Sequence, residues 1–393
     1  MGKSKMSKER REKLSALARL MNKQNITSIP VTRELLDCFD VAITKKEADF
    51  LLRMGTENFT YEQISSLSDL PERSFRTFLE AILKKGLVWT RINEKEEESY
   101  TLAPILVGWF ELYLSDGADT PQKREFARSI DRLFRSWGKF NVYPIRSLWN
   151  YHTKRRSRAH RRVVVPQNPS QKAKTVEIAI DRPLRNSDME VHLTESVNEL
   201  IEKYGKKNKI ALVHCFCRQW RKFVGEPCRF GQPYESCIVL GDFTSYVVKY
   251  GIARYVSKEE ALRIIQEVQD KGAVHQVFHE REDIKQPEIA ICNCCWDCCG
   301  ILGSYNRGLL PMRVKSYYLA QIIDDSLCTG CGTCAKYCPT RAVYVINKKS
   351  QIDVGKCIGC GQCELQCPEG VIALEYKERE VVLPLLRKSE ARL

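Results

Sequence analysis

Two cysteine runs near the C-terminus carry the clearest chemical signal in the sequence. Each run reads C-x2-C-x2-C-x3-C-P, and the four cysteine positions of the first recur in the second at one constant offset. Thiolates at this spacing suit the irons of an iron–sulfur cluster, whereas a zinc site ordinarily uses paired C-x2-C knuckles. The first run, CTGCGTCAKYCP, holds Cys328, Cys331, Cys334 and Cys338, and the second, CIGCGQCELQCP, holds Cys357, Cys360, Cys363 and Cys367.

The doubled run resembles the bacterial-type ferredoxin domain with two 4Fe–4S clusters, over about 60 residues. The resemblance implies crossed ligation, in which the fourth cysteine of each run turns away and binds the other cluster. It also implies that this part of the chain carries single electrons at low potential. Carried over by position, one cluster would be held by Cys328, Cys331, Cys334 and Cys367, and the other by Cys357, Cys360, Cys363 and Cys338.

Nine further cysteines lie between residues 215 and 299, in two groups that look alike. KIALVHCFCRQW and EIAICNCCWDCC each read as an apolar strand that runs into a C-x-C pair. SKEEALRIIQEVQDKG between them predicts a helix that begins with a Ser257–Glu260 capping box. Strand, helix and strand indicate a compact α/β unit with both cysteine groups at strand ends. The nine residues are Cys215, Cys217, Cys228, Cys237, Cys292, Cys294, Cys295, Cys298 and Cys299.

The density of these thiols predicts one or two further iron–sulfur clusters. Cys292, Cys295 and Cys298 repeat the C-x2-C-x2-C spacing, so they could hold one cluster with a fourth ligand from the first group. Cys294 and Cys299 would then join the remaining thiols around a second. The odd thiol could be free, could bridge, or could mark a non-standard cluster. Zinc sites and plain burial of apolar thiols are the alternatives.

Cationic side chains surround the first cysteine group. Arg218, Arg221, Lys222 and Arg229 would stabilise the reduced, more negative state of a nearby cluster. Alternatively, an anionic substrate would bind near Arg218 and Arg221. Cys38, in the apolar context LLDCFD, is predicted to be structural. The sequence contains no glycine-rich loop motif for a dinucleotide or for ATP.

Composition limits where such a chain could work. The longest apolar run, residues 105–110, is far too short to span a bilayer, and no apolar segment of a secretory signal follows the basic N-terminus. Eighteen cysteines without an export signal favour reduced, metal-binding thiols over disulfides. We therefore expect a reducing, cytoplasmic and anaerobic setting.

The net charge of +14 is concentrated in two segments. Residues 1–29 carry eight lysines and arginines against two glutamates, and residues 150–174 carry eight with no acidic residue. These segments read as a basic arm, with a short amphipathic helix in KERREKLSALARLMNKQN, and a basic linker. Solvated segments are the plain interpretation; docking of these segments on an acidic partner, a membrane surface or nucleic acid is the alternative.

The region from Thr44 to Leu102 predicts three helices followed by a hairpin. The helices are TKKEADFLLRMG, TYEQISSLS and PERSFRTFLEAILKKG, and LVWTRINEKEEESYTLAP reads as the hairpin. This order resembles a winged helix-turn-helix domain, which often places its third helix in the DNA major groove. Carboxylates in the wing would be repelled by phosphates, so we expect a protein-docking module rather than a nucleic-acid partner. The wing carries Glu94, Glu96, Glu97 and Glu98 against Arg91 and Lys95.

The expected fold is multidomain α+β. It comprises a basic arm (1–29), a winged-helix-like helical docking domain (30–150), a basic linker (151–175), a cysteine-rich α/β domain (176–318), a ferredoxin domain with two 4Fe–4S clusters (319–378) and a tail (379–393).

The sequence favours a multi-cluster iron–sulfur protein that relays low-potential electrons between the ferredoxin domain and the central clusters. A partner oxidoreductase would dock on the N-terminal half or on the ferredoxin domain. Two alternatives stay open: a reductase whose central iron–sulfur site reduces a substrate, and a redox-sensing DNA-binding regulator. Whether the chain is itself an enzyme is left undecided by these patterns.

Overall fold

The fold is that of a computed structural model, which describes residues 6–25, 29–92, 97–140, 161–165, 174–178, 189–279 and 287–386. Within these ranges the chain mixes helices and strands in a multidomain arrangement. None of the helices in the described part of the chain is long and apolar enough to cross a membrane.

The N-terminal half is mostly helical. Its helices are α1 Lys8–Asn22, α2 Arg33–Ala42, α3 Lys45–Met54, α4 Tyr61–Ser66, α5 Glu72–Lys84, α6 Phe110–Ser115 and α7 Pro121–Phe140, and an irregular segment, Ile105–Trp109, precedes α6. Helices α3 and α4 begin at Thr44 and Thr60, where each threonine takes part in a capping box. The apolar face of α1, including Leu14, Leu17 and Met21, is buried. The predicted amphipathic helix of the basic arm is therefore confirmed and is packed into the core.

A hairpin follows the third of the predicted helices. Strands β1 Val88–Ile92 and β2 Glu98–Leu102 are antiparallel, with Val88 opposite Leu102. The order of helices α3 to α5 and the hairpin is the order that the sequence predicts, while the resemblance to a winged helix stays a prediction. Glu94, Lys95 and Glu96 of the predicted wing lie outside the described residues.

An eight-stranded sheet forms the centre of the molecule. Its order is β14-β11-β5-β9-β10-β7-β6-β8. The neighbours β6, β7 and β10, which carry or precede most of the central cysteines, pair antiparallel. The strands are β5 Met189–His192, β6 Ile210–His214, β7 Glu235–Leu240, β8 Ala253–Tyr255, β9 Val274–His279, β10 Glu288–Cys294, β11 Met312–Ile322 and β14 Ile372–Leu383.

Helices cover the two faces of this sheet. One face packs on α8 Thr194–Gly205 and α11 Lys258–Asp270 through residues such as Leu212 and Ile265. The other face packs on α9 Phe216–Phe223 and α10 Phe243–Lys249. Because successive strand residues point to opposite faces, the apolar run IALVH can supply both cores.

The N-terminal half and the central domain share one hydrophobic core. Phe134 and Trp220 pack with their ring centroids 4.8 Å apart. The hydroxyl of Tyr246 donates to the backbone carbonyls of Leu83 and Val88, at 2.8 and 2.9 Å. The N-terminal half therefore packs directly on the central domain. Most of the predicted linker lies outside the described residues. The part that is described forms an antiparallel strand pair, β3 Arg161–Val165 and β4 Lys174–Ile178.

The C-terminal segment is built around a long antiparallel strand pair, β11 and β14. Between these strands lie the hairpin of β12 Val343–Ile346 and β13 Lys349–Ile352, and the short helices α13 Thr333–Tyr337 and α14 Gln362–Leu365. A further short helix, α12 Leu302–Asn306, precedes β11. Strand β14 continues to Leu383, past the predicted domain boundary at residue 378. Because β11 also pairs with β5, this segment and the central domain belong to one sheet.

Candidate metal centres

The two C-terminal cysteine runs fold into matching loops. Gly359, in the second loop, has a positive φ of 64°, and a Cβ built there would lie 2.1 Å from the backbone oxygen of Tyr318. Only glycine fits at such a position. The corresponding glycine of the first loop, Gly330, also has a positive φ, of 71°, so the two loops share their backbone turn.

The structure brings the eight C-terminal cysteines together in two crossed sets. A pocket is lined by three thiols of the second run and by the last thiol of the first, which are Cys357, Cys360, Cys363 and Cys338. In the other set, burial and the neighbouring thiolates of Cys367 and Cys331 raise the pKa of Cys334, and Cys328 is a charged neighbour of Cys331. This grouping is the one that the ferredoxin resemblance implies. A thiol-lined pocket of this kind fits an iron–sulfur cluster.

Hydrogen bonds to sulfur surround these thiols. The backbone N–H groups of Ala342 and Val343 donate to the sulfur of Cys338, at 3.1 and 3.4 Å. The hydroxyl of Ser350 lies 3.2 Å from the sulfur of Cys334. Such contacts stabilise thiolates and tune the potential of a bound cluster.

The nine central thiols separate into a group of three and a group of six. The group of three, which we call the thiol triad, comprises Cys228, Cys295 and Cys298. Their sulfur atoms all lie within 4.8 Å of one another, and the sulfurs of Cys228 and Cys295 are 3.8 Å apart. Hydrogen bonds from the thiols of Cys295 and Cys298 lower the pKa of Cys228 to about 2.

An ion pair joins the two loops that carry the triad. Arg229 and Asp297 form a bidentate ion pair, with Nε and Nη2 at 2.9 and 2.7 Å from Oδ1. The backbone N–H of Asp297 donates to the sulfur of Cys295 at 3.3 Å. The loop that carries Cys228 is therefore fastened to the turn that carries the other two thiols.

The group of six, which we call the thiol ring, is closed by thiol–thiol hydrogen bonds. Each member has two thiol neighbours, and the pKa is lowered at Cys215, Cys292 and Cys299, where two neighbours donate. It is raised at the three half-buried thiols between them, which donate to thiolate neighbours. In order around the ring the members are Cys215, Cys217, Cys299, Cys294, Cys292 and Cys237.

Strand register explains the ring. Val213 pairs with Cys237, and Ile291 pairs with Ile238, so the ends of β6, β7 and β10 lie side by side. Cys292 and Cys294 point to the same face of β10 because side chains alternate along a strand. The structure thus places Cys292 beside Cys237 and Cys294, whereas the C-x2-C-x2-C spacing had grouped it with Cys295 and Cys298. Cys292 still belongs to the strand, and the loop starts only after Cys294.

Arg218 lies between the triad and the ring and is fully buried. Its guanidinium donates to the hydroxyl of Ser236, to the carbonyl of Pro233 and, at 2.9 Å, to the carbonyl of Asn293. Burial opposes its charge, but thiolates of Cys215, Cys298 and Cys237 hold its pKa well above the ordinary value. Its position suits charge compensation of two thiol-held centres at once.

Arg221, the second residue of the predicted anion site, is also buried and has acidic partners. Its Nη1 lies 3.0 Å from Asp131, and its Nη2 pairs with Glu226. Burial lowers its pKa to about 10. An anion at Arg218 and Arg221 would therefore have to compete with the internal partners of both side chains.

A buried polar chain supports the ring from the opposite face of β10. The side chain of Asn293 donates to the carbonyl of Ser236, and its Oδ1 lies 2.6 Å from Nδ1 of His275. Nε2 of His275 contacts the Thr194 hydroxyl at 3.1 Å, and burial lowers the pKa of His275 to about 4. His275 is thus a neutral histidine with a partner at each ring nitrogen. Cys38 is buried in the N-terminal core.

One residue near the ring was missed by sequence reasoning. Burial raises the pKa of Glu111 to about 7, and the thiolate of Cys292 adds to this increase. Its carboxylate accepts the backbone N–H of Gly108 at 2.8 Å. The only sequence signal was an acidic residue inside the apolar stretch ILVGWFELYL, which α6 carries toward the sheet.

The second C-terminal loop adjoins the thiol ring. Cys360 and Cys294 pack against one hydrophobic cluster, which contains Cys299 and Ile358. The triad is connected to the first loop through aromatic rings: Phe230 lies 5.1 Å from Trp296 and 6.1 Å from Tyr337.

Comparison with known proteins identifies only the C-terminal part. Residues 320–368 match the family model of the 4Fe-4S dicluster domain. No curated protein and no solved structure matches the chain. With the cysteine groups described above, this match indicates that the chain is an iron–sulfur protein with a C-terminal 4Fe-4S dicluster domain.

Proposed function

We propose that this protein relays electrons between its C-terminal dicluster domain and centres held by the central thiols. Bound iron–sulfur clusters would supply one-electron chemistry. The observation that carries the proposal is the packing of Cys360 and Cys294 against the same hydrophobic cluster. Because Cys299 of the ring and Ile358 of the second C-terminal loop belong to that cluster, the ring and the loop share one packed region.

Specific hydrogen bonds hold this loop in place. Gln362, next to Cys363, is buried and donates to the carbonyl of Ala273 at 2.7 Å. Asn306, also buried, donates to the carbonyl of Pro339 at 2.9 Å. Because buried polar side chains are costly to leave unpaired, these contacts favour one fixed arrangement of the two regions. A fixed short separation is what efficient electron transfer requires.

The first C-terminal loop faces outward and suits entry or exit of electrons. Cys331 is exposed, and the apolar side chains of Ile323 and Leu327 are 64% and 58% exposed. Exposed large apolar groups beside a redox centre favour docking of a partner protein. We therefore propose that a partner oxidoreductase docks here. Docking on the N-terminal half is the alternative.

The thiol triad favours a second candidate function, that of a reductase. A cubane has four irons, and three thiols leave one iron without a cysteine ligand. A substrate could occupy that position. The exposed loop around Cys228, with Pro227 and Arg229, would provide access.

A DNA-binding regulator receives less support. Arg76 and Lys84 on α5 form ion pairs with Glu72 and Glu80 of the same helix, both at 2.7 Å. A helix face whose cations are paired with its own acids attracts phosphate weakly.

The relay can be tested by rapid-mixing EPR on the full chain. A bacterial two-cluster ferredoxin, reduced beforehand, serves as the electron donor. In the variant Cys360→Ala the central signals should become reduced at least tenfold more slowly, because the second C-terminal cluster is lost. Cys38→Ala, which removes a buried thiol far from the clusters, is the matched control and should leave the rate unchanged. An unaltered rate in Cys360→Ala would overturn the relay.

A further inference from the structure

We propose that the thiol triad binds a single tetrahedral metal ion, iron(II) or zinc(II), instead of a cubane. The inference rests on the distances between the sulfur atoms of Cys228, Cys295 and Cys298. It goes beyond the proposed relay, whose supporting contact joins the thiol ring to the second C-terminal loop. It also differs from the reductase considered above, which needs a cubane at the same three thiols.

The spacing of the sulfur atoms is the first argument. The sulfurs of Cys228 and Cys295 are 3.8 Å apart, and all three sulfurs lie within 4.8 Å of one another. A metal ion that holds thiolates at about 2.3 Å in a tetrahedron places them about 3.8 Å apart. A cubane holds each thiolate on a different iron, beyond the corners of the cube, so its thiolates lie about 6 Å apart. The triad therefore has the spacing of thiols that share one ion.

The C-terminal thiols provide a comparison within the same molecule. Four of them line a single pocket that fits a cluster. In the part of the chain that the structure describes, the triad is the one group in which three possible ligand atoms lie within 4.8 Å of one another. The C-terminal thiols are therefore spread more widely than those of the triad, as a cubane requires.

The local backbone of the triad has the form of a metal-binding knuckle. Cys295 and Cys298 form a C-x2-C pair in a turn, and the backbone N–H of Asp297 donates to the sulfur of Cys295 at 3.3 Å. Pairs with this spacing are typical ligands of a single tetrahedral ion. An N–H donor to sulfur stabilises the thiolate form that binds the ion.

The loop that carries Cys228 is fixed by contacts that do not involve sulfur. The backbone N–H of Arg229 donates to Oδ2 of Asp297 at 2.8 Å, and the Arg229 guanidinium pairs with Oδ1 of the same carboxylate. Further along the loop, the buried side chain of Gln232 donates to two backbone carbonyls at the end of α11. Because these contacts determine the path of the loop, they hold the third thiol opposite the knuckle.

The fourth position of the tetrahedron is left to a small ligand. No fourth histidine, cysteine or carboxylate of the described residues lies within 4.8 Å of the whole triad. The carboxylate of Asp297 accepts hydrogen bonds from Arg229 on both of its oxygens. Cys228 is half-buried between the exposed residues Pro227 and Arg229, so solvent can reach this side of the triad. A water molecule would therefore complete the coordination.

The test compares the iron, zinc and acid-labile sulfide content of the full chain, purified anaerobically, in the wild type and in Cys228→Ala. The variant should lose one iron or one zinc ion per chain and no sulfide, because a single ion has no sulfide bridges. The metal that is lost identifies the ion. Cys38→Ala, which changes a buried thiol of the N-terminal core, is the matched control and should keep the full content. The EPR signals of the C-terminal clusters report in each sample that the chain has folded.

Two results would overturn the inference. A loss of about 4 iron atoms together with about 4 sulfides in Cys228→Ala would show a cubane, and unchanged metal content would show that the triad binds no ion. If the variant does not fold, the wild type decides. A mononuclear iron component in its Mössbauer spectrum, or zinc with sulfur ligands in its X-ray absorption spectrum, supports the single ion, and the absence of both contradicts it. The relay is tested separately by Cys360→Ala, so either proposal can fail alone.

Discussion

Replacement of Arg218 by methionine tests how the central centres are held and tuned. The side chain is fully buried, and thiolates of both the ring and the triad stabilise its charge. Methionine keeps much of the volume but removes the charge. A reduced cluster carries one more negative charge than its oxidised form, so loss of a nearby cation makes reduction harder.

The size of the effect follows from the contact with Cys298. A guanidinium that donates to a cluster sulfur lies about 6 Å from the iron bound to that sulfur, and at an effective dielectric constant of about 20 the interaction is worth roughly 3 kcal/mol. At about 2.3 kcal/mol per 100 mV this corresponds to a potential that is roughly 120 mV more negative. The C-terminal clusters, which Arg218 does not contact, should keep their potentials.

The assay is an anaerobic potentiometric titration of the full chain followed by EPR. The C-terminal cluster signals act as an internal reference in the same sample. Arg218→Lys keeps the charge and should recover most of the wild-type potential. An unchanged or more positive potential of the central centres in Arg218→Met, with clusters still loaded, would refute the charge compensation that we derive from the structure.

Three further predictions concern the pocket of Glu111, a C-terminal loop and the domain junction. The pKa of Glu111 is about 7 in the folded protein against an ordinary 4.5. The stability that its protonated form contributes is therefore fully present below pH 4.5 and is lost as the pH rises through 7. In the wild type the free energy of unfolding should fall by about 3 kcal/mol over this window, and in Glu111→Gln this fall should be absent. If the urea midpoint changes equally in the wild type and the variant between pH 5 and 8, the prediction is contradicted. Gly359→Ala should abolish the EPR signal of the second C-terminal cluster, because its Cβ would collide with the Tyr318 carbonyl, whereas Gly332→Ala, with no atom within 4 Å of its Cβ, should be milder. Tyr246→Phe removes the donor to two buried carbonyls and should cost about 1–3 kcal/mol in urea unfolding; a loss below the error of the measurement would argue against the shared core.

Local patterns were sufficient for the parts of the fold that local chemistry decides. The spacing of the C-terminal cysteine runs reflects ligands on a single loop, and the match over residues 320–368 confirms the dicluster domain. The cap residue Ser257 indicated where a helix begins, and the structure starts α11 directly after it. Both central cysteine groups lie at strand ends, as the strand-into-C-x-C pattern predicted.

Features that depend on which strands become neighbours could not be predicted from local sequence patterns. The division into ring and triad follows from the register of β6, β7 and β10, which no spacing within one segment encodes. The spacing of Cys292 resembled a loop because strand and loop cysteines are adjacent in the sequence. In the structure, strand alternation directs Cys292 to the ring. The approach of Glu111 to the ring likewise depends on a core shared between regions that the sequence separates by a basic linker.

The central claim is that the nine central thiols hold iron–sulfur centres in addition to those of the dicluster domain. Iron and acid-labile sulfide per chain, measured on the full protein purified under anaerobic conditions, test this claim most directly. The account predicts about 12 iron atoms per chain or more, with a similar amount of sulfide, because at least one central cluster adds to the two C-terminal ones. A content of about 8 iron atoms, enough for the C-terminal clusters alone, would contradict it.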